Sequence, residues 1–284
     1  MSARARVVAD PAELHRRYPD LLRADPRRRI AAVGIVVALA ALVVAGLILI
    51  EFDPVRVLRG IGELGTMTHL MLPPDPGSWT RAFLYLDALG ETLAISFLGT
   101  FGAAIVAFPI GFLAARNVMP AWLVRVFVRR SMDTLRGIET LVWALVWVNV
   151  VGLGPFAGVL AIFTSDIGTF GKLFSEAIEA ADRKPVEGVV SSGGTPAESV
   201  RFGILPQVLP VMASQVLYYF ESNTRSATII GIVGAGGIGL HLFEQIRTLE
   251  WQAVSFIVLM ILVLVAAIDW VSSRLRFAII GRPG

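Results

Sequence analysis

Six consecutive polar residues, Glu221-Ser222-Asn223-Thr224-Arg225-Ser226, interrupt an apolar run over about residues 209–232. A charge at membrane depth is expensive, so such residues face a bundle interior or a water-filled path. Glu221 and Arg225 stand four apart, on one helix face, where they can pair. Two chemistries fit. In one, the pair neutralises itself and locks the bundle. In the other, Arg225 with Asn223, Ser222 and Thr224 lines the route of an anion, whose oxygens match the donor fork of a guanidinium. Both hold if Glu221 keeps Arg225 and yields it to the passing anion. Asp166 lies in another apolar run among Thr164, Ser165 and Thr169. It either partners Arg225, shapes a cavity or packs. Arg136 and Glu139, three apart near the cytoplasmic start of a third run, are gate candidates that can interact on one helix face.

The stretch Gly234-Ala235-Gly236-Gly237-Ile238-Gly239 contains a G-x-G-x-x-G. A dinucleotide site needs that pattern inside a βαβ unit, with a strand before it and a helix after it. Here it follows an apolar span. Gly234, Gly236 and Gly237 therefore read as a tight re-entrant or gate turn buried within protein. Gly154 and Gly158 form a G-x-x-x-G, which suits close helix packing.

Other chemistries are missing from the 284 residues. There is no cysteine, hence no disulfide, thiolate nucleophile or cysteine zinc site. His15, His69 and His241 are scattered, outside metal-ligand spacing, and support neither a metal centre nor a Ser/His/Asp set. No G-x-x-x-x-G-K-[ST] occurs, so the chain has no Walker A site of its own. No cofactor and no enzymatic activity are expected here. Energy for any vectorial work must come from a partner or a gradient.

These residues are carried by a chain that is 55% hydrophobic and only 17% charged, with a mean hydropathy of +0.71. A soluble domain is about 25% charged. The composition predicts an all-α integral membrane protein. Six spans follow, over about residues 30–50, 92–115, 134–151, 155–174, 209–232 and 251–271. The first is preceded by Arg27-Arg28-Arg29, as in a signal peptide, but it is too long and lacks a small-residue cleavage site. It reads as a retained span. The division is then an Arg-rich arm at 1–29, the first span at 30–50, an extracytoplasmic loop at 51–91 and a core at 92–272. A tail occupies 273–284. Within the loop, residues 52–64 suit a short amphipathic helix on the outer surface. With the N-terminus inside, 20 of the 25 Lys and Arg fall in cytoplasmic segments, so both termini are expected in the cytoplasm. The pI of about 9.7 reflects these topogenic arginines. Nucleic acid is not an expected partner; a lipid membrane is.

The cytoplasmic stretch at about 180–206 is informative in another way. Glu187 is followed six residues later by Gly193, with Gly194 beside it, and then by Leu205-Pro206. That spacing predicts two short helices joined at a glycine, where the backbone can turn. Thr195 suits an N-cap, Pro196 the first helical turn, and Glu198 completes a capping box. The acid, glycine and Leu-Pro match the "EAA" loop of permease subunits of bacterial ABC importers, although Gly188-Val189 replace two alanines and Gly203 an aliphatic residue.

The wider sequence resembles the phosphonate-type permeases of that class. The likeness covers Glu91-Thr92-Leu93 with Gly99-Thr100, Pro109, Ala114-Ala115-Arg116-Asn117, and Leu135-Arg136-Gly137-Ile138-Glu139. It continues through Gly171-Lys172-Leu173-Phe174 and is closest from Phe220 to Gly231, ahead of the glycine-rich turn. The resemblance implies a type I ABC importer permease fold in the bacterial inner membrane. It implies coupling to two separate ATPase subunits, which bind ATP and Mg, through Glu187, Gly193, Gly194, Leu205 and Pro206. It also implies an extracytoplasmic binding protein that delivers phosphonate or a related oxyanion, and a second permease chain, as a homodimer. The same machine with phosphate, phosphite or methionine as cargo is one alternative. An ion-coupled secondary transporter or a membrane scaffold without ATPase is another.

Overall fold

The computed structural model describes residues 26–280, with side chains for residues 30–278. Most of the expected arm at 1–29 lies outside the described residues. Its last residues are helical, because Pro26 opens the first helix with the fixed φ that suits a helix start. The chain divides into two units, Met1–Gly65 and Thr66–Gly284.

The first unit holds α1 (Pro26–Leu49), whose 24 residues span about 36 Å, enough for a bilayer core. Its side chains from Ile30 onward are exposed, as lipid contact requires. Glu51 turns the chain at φ +51°. The Asp53 carboxylate then accepts from the backbone N–H of Val55, at 2.9 Å, and starts α2 (Pro54–Leu70). The amphipathic helix expected at 52–64 thus runs six residues further, to Leu70.

The second unit begins with α3 (Trp79–Ala114), capped by Ser78. The sequence places its start near residue 92; the helix begins at Trp79 instead. Arg81 and Asp87 interrupt the apolar run but point outward, while Tyr85, Ala88 and Leu89 bury one face against Ile238 and Ile257. A window of average hydropathy misses that amphipathic extension. Residues 79–91 are therefore helix and not loop.

The third span is also different. α4 (Trp122–Arg136) and α5 (Thr140–Val151) meet at an 87° bend. Twelve residues of α5 rise only about 18 Å and cannot cross alone. Gly137 sits at the elbow, and Trp143 Nε1 donates to the Leu135 carbonyl across it at 3.1 Å. The remaining elements are α6 (Pro155–Glu179), α7 (Arg183–Ser191), α8 (Pro196–Glu198), a π-helical segment π1 (Ser199–Ile204), α9 (Leu205–Gly231), α10 (Ile238–Arg247) and α11 (Trp251–Ile280). Among the described residues, five helices are long and apolar enough to cross a membrane, and the bent pair makes a sixth crossing if counted as one.

α6 is the hub, packed against α3, α4, α5 and α9. α3 and α6 approach through small residues. A Cβ on Gly99 would stand 2.7 Å from Ile162 Cβ, and one on Gly111 2.8 Å from Phe174 Cβ. In lipid, where burial of apolar surface drives little, such backbone proximity supplies the packing. α9 closes the bundle against α3, α6 and α11.

Candidate functional site

The helical twist divides the polar run of α9. Asn223 points inward and is 6% exposed. Its Nδ2 donates to Thr100 Oγ1 on α3 at 2.8 Å and to Asp166 Oδ2 on α6 at 2.5 Å. Ser96 Oγ, also on α3, donates to the Asn223 carbonyl at 3.2 Å. Three helices are thereby tied at one level, and every member is buried. Asp166 is paired with Asn223 and not with Arg225, so of the alternatives for Asp166 the partnership with Arg225 is absent. Arg225 faces away, because two residues turn the helix by about 200°. Thr224 is buried too, its hydroxyl bonded back to the Phe220 carbonyl at 2.9 Å.

Ser222 and Arg225 lie on the opposite face with Tyr218 and Ile229. The Arg225 side chain is 49% exposed, that of Glu221 only 11%. The expected pair is present, with Arg225 Nη1 3.1 Å from Glu221 Oε1. A third member was not anticipated. Arg276 of α11 donates through Nη2 to Glu221 Oε2 at 3.4 Å. The sequence assigns Arg276 to a tail, yet α11 has no helix breaker after Val271 and continues to Ile280.

Arg136 and Glu139 do not pair. Arg136 Nε meets Asp133 Oδ1 at 3.3 Å on its own helix, and the break at Gly137 puts Glu139 at the N-cap of α5. They stand beside the middle of α6, since a Cβ on Gly168 would lie 2.8 Å from the Arg136 N. The bend, absent from a reading of one straight span, moves them from its end.

The glycine turn is buried from Gly234 to Gly239. Gly234, Gly236 and Gly237 have φ of +90°, +83° and +74°, a region that favours glycine. Thr92 Oγ1 accepts from the Ile238 N–H at 2.8 Å, and Gly154 N–H donates to the Gly234 carbonyl at 2.9 Å. The turn is seated between α3 and the start of α6. Gly158 completes the seat, as a Cβ there would lie 2.6 Å from the Ala235 carbonyl oxygen.

The stretch at 180–206 forms two short helical pieces, as its spacing predicts. α7 ends at Ser191, and Gly193 turns the chain at φ +88°. Gly194 passes so close to α7 that a Cβ would stand 2.6 Å from Val189 Cγ1. Thr195 and Glu198 make the capping box, with Glu198 Oε2 accepting from Thr195 N at 2.7 Å. The backbone N–H and hydroxyl of Thr195 hold the Glu198 carboxyl below its usual range. The second piece does not end in a loop. It passes through π1 directly into α9, so Leu205 and Pro206 are the first residues of that span. Gln207 straps the two pieces together. Its Oε1 accepts from Asp182 N at 3.0 Å, and its Nε2 donates to the Asp182 and Gly203 carbonyls at 3.2 and 2.6 Å. Glu187 is exposed on α7, beside a cleft of about 250 Å³ that also contains Asn117, Glu179 and Arg183.

A larger groove, about 510 Å³, is lined by apolar residues of α3, α9 and α11 such as Phe101, Phe108, Met212 and Leu275. It offers no donor to an anion. Sequence reading missed Thr92, Ser96 and Thr100. Their signal is a stripe spaced by four on α3, of which Ser96 and Thr100 meet Asn223 of α9 and Thr92 meets the glycine turn.

Comparison with known proteins shows the family and the fold. Residues 107–280 match the family described as binding-protein-dependent transport system inner membrane component. HtxC of Stutzerimonas stutzeri, named as a phosphite transport system permease protein, is 38% identical over 274 residues, covering 94% of this chain and 95% of its own. The phosphate-import permease protein PhnE of Mycolicibacterium smegmatis is 35% identical over 95% of this chain, which spans 49% of PhnE. Among solved structures, a chain of the inward-facing MetNI methionine ABC transporter superposes with a TM-score of 0.63, covering 71% of this chain and 99% of that one. At 20% identity that likeness concerns the fold alone.

Proposed function

The chain belongs to the family of binding-protein-dependent transport system inner membrane components, and from that premise we propose that it moves phosphite, phosphate or a phosphonate across the inner membrane. The relatives named for phosphite and phosphate transport support this cargo class. The single observation that carries it is the position of Arg225. Its guanidinium is half-exposed on the uncovered face of α9, next to Ser222 and Tyr218, and so has donors left for oxyanion oxygens.

The same helix supports a route for coupling. α9 runs back without a break through π1 to α8, and the Gly193 turn joins α8 to α7. An ATPase subunit that grips α7 near Glu187 would pull on the helix that carries Arg225. Two such subunits, which bind ATP and Mg, close on a pair of permease chains, here copies of this one. An extracytoplasmic binding protein delivers the cargo. The rocking of spans then exposes the Arg225 face to one side at a time. Both termini lie in the cytoplasm, as the distribution of Lys and Arg favours.

The test is ATPase activity of the chain reconstituted in lipid with its ATPase and binding protein, with phosphonate, phosphate, phosphite or methionine added. Stimulation by an oxyanion is expected. Stimulation by methionine alone would overturn the cargo, and failure to bind any ATPase would overturn the coupling.

A further inference from the structure

We propose that Arg276 is a positioning residue for the oxyanion step, one that keeps Glu221 compensated while Arg225 turns to the anion. The inference rests on the transport reading above and adds a division of labour between the two arginines.

Each oxygen of Glu221 is taken by a different guanidinium. Oε1 meets Arg225 Nη1 at 3.1 Å, and Oε2 meets Arg276 Nη2 at 3.4 Å. A nearly buried carboxylate with a single cation cannot release it without being stranded. Glu221 has two, so the departure of Arg225 leaves one charge-assisted bond in place. The arginines are not equivalent. Arg225 is 49% exposed and has no other ion-pair partner among the described residues. Arg276 is 24% exposed and fixed from several sides. It donates to Ser273 Oγ at 3.2 Å, stands 4.0 Å from Asp269 Oδ1, and lies over the Tyr218 ring at 6.0 Å. Arg225 is therefore the exchangeable cation and Arg276 the resident one. Glu221 is the acidic link between their helices at this point, beside the contact of Arg276 with Tyr218, so the carboxylate serves both as latch for Arg225 and as anchor to α11.

The competing role is a clamp that merely fastens α9 to α11. Uptake by the full complex in proteoliposomes, with phosphite as probe, separates the two. R276Q leaves Arg225 as the sole cation on Glu221, which then holds it more tightly, and is expected to lower uptake about tenfold while the complex still assembles. R276K, which keeps the charge, is expected to recover most of it. The decisive variant is E221Q/R276Q. Without a carboxylate there is nothing to strand, so uptake should exceed that of R276Q alone. Should E221Q/R276Q be as defective as R276Q, or fail to assemble, Arg276 is a clamp and the inference falls. It also falls if R276Q takes up phosphite like the wild type. If R276Q does not assemble, an active E221Q/R276Q supports the inference and an inactive one overturns it. A wild-type complex that ignores phosphite, phosphate and phosphonate alike fails the transport reading itself, which is a distinct result.

Discussion

Two polar side chains two residues apart on α9 meet opposite fates. Asn223 is almost wholly buried and reaches α3 and α6 with one amide group. Arg225 is half-exposed and, among the described residues, forms its ion pair with Glu221 of its own helix. The inner face spends its polar groups on fastening the bundle. The outer face keeps donors in reserve. Polar residues inside a span thus do not share a role because they share a segment. The helical twist assigns each to a lock or to a surface, and the partners it finds there decide what it can do.

The largest test of this contrast strikes the lock. Asn223→Leu removes the only side chain bonded to Asp166 among the described residues and leaves a buried carboxyl without a partner. A loss of about 3 kcal/mol is expected, on the scale of broken buried pairs, read as a lower unfolding temperature in detergent and poor assembly. Wild-type stability would show that the knot is incidental.

Arg225→Ala should do the reverse. Assembly is expected to survive, while oxyanion-stimulated ATPase falls roughly 10- to 100-fold, the loss of one or two charge-assisted bonds. Equal loss of assembly and activity would make the outer face a second lock.

The contrast sharpens at the other end of the same helix. Gly193→Val forces a branched residue to φ +88°, a strain of about 1–2 kcal/mol. The loop carries it and not the bundle, so insertion should persist while ATPase activity loses its response to cargo. Normal uptake would detach the loop from coupling.

The smallest effect concerns Glu198. Its carboxyl is held below the usual range by Thr195. The cap is therefore in place above the unfolded carboxylate range near pH 4.3 and is lost as pH falls through the lowered folded value. The protection of the amides of residues 195–199 relative to their free-chain exchange rates should fall only on acidification, and Glu198→Gln should weaken that dependence.

Local rules made much of this legible in advance. The capping box, the Gly193 turn and the backbone turn at 234–237 follow from residue types close in sequence, while the burial of the last depends on its seat against Thr92, Gly154 and Gly158. The apolar runs located five crossing helices, and a sixth crossing if the bent pair is counted as one, but not their ends. α3 begins earlier because its first turns are amphipathic, and α5 is short because Gly137 and the Trp143 bond break the third span.

Sequence alone determined the chemistry available: a membrane chain without cysteine or a Walker A site, with a guanidinium and a carboxylate four apart inside a span, and a glycine-jointed loop before it. Only the tertiary structure decided the partners. Asp166 went to Asn223 because α6 and α9 meet at that level with Arg225 turned away. Arg276 went to Glu221, 55 residues distant, because α11 continues as helix alongside α9. Such pairings depend on where separate helices come to rest against each other, and no local pattern of residues encodes that distance.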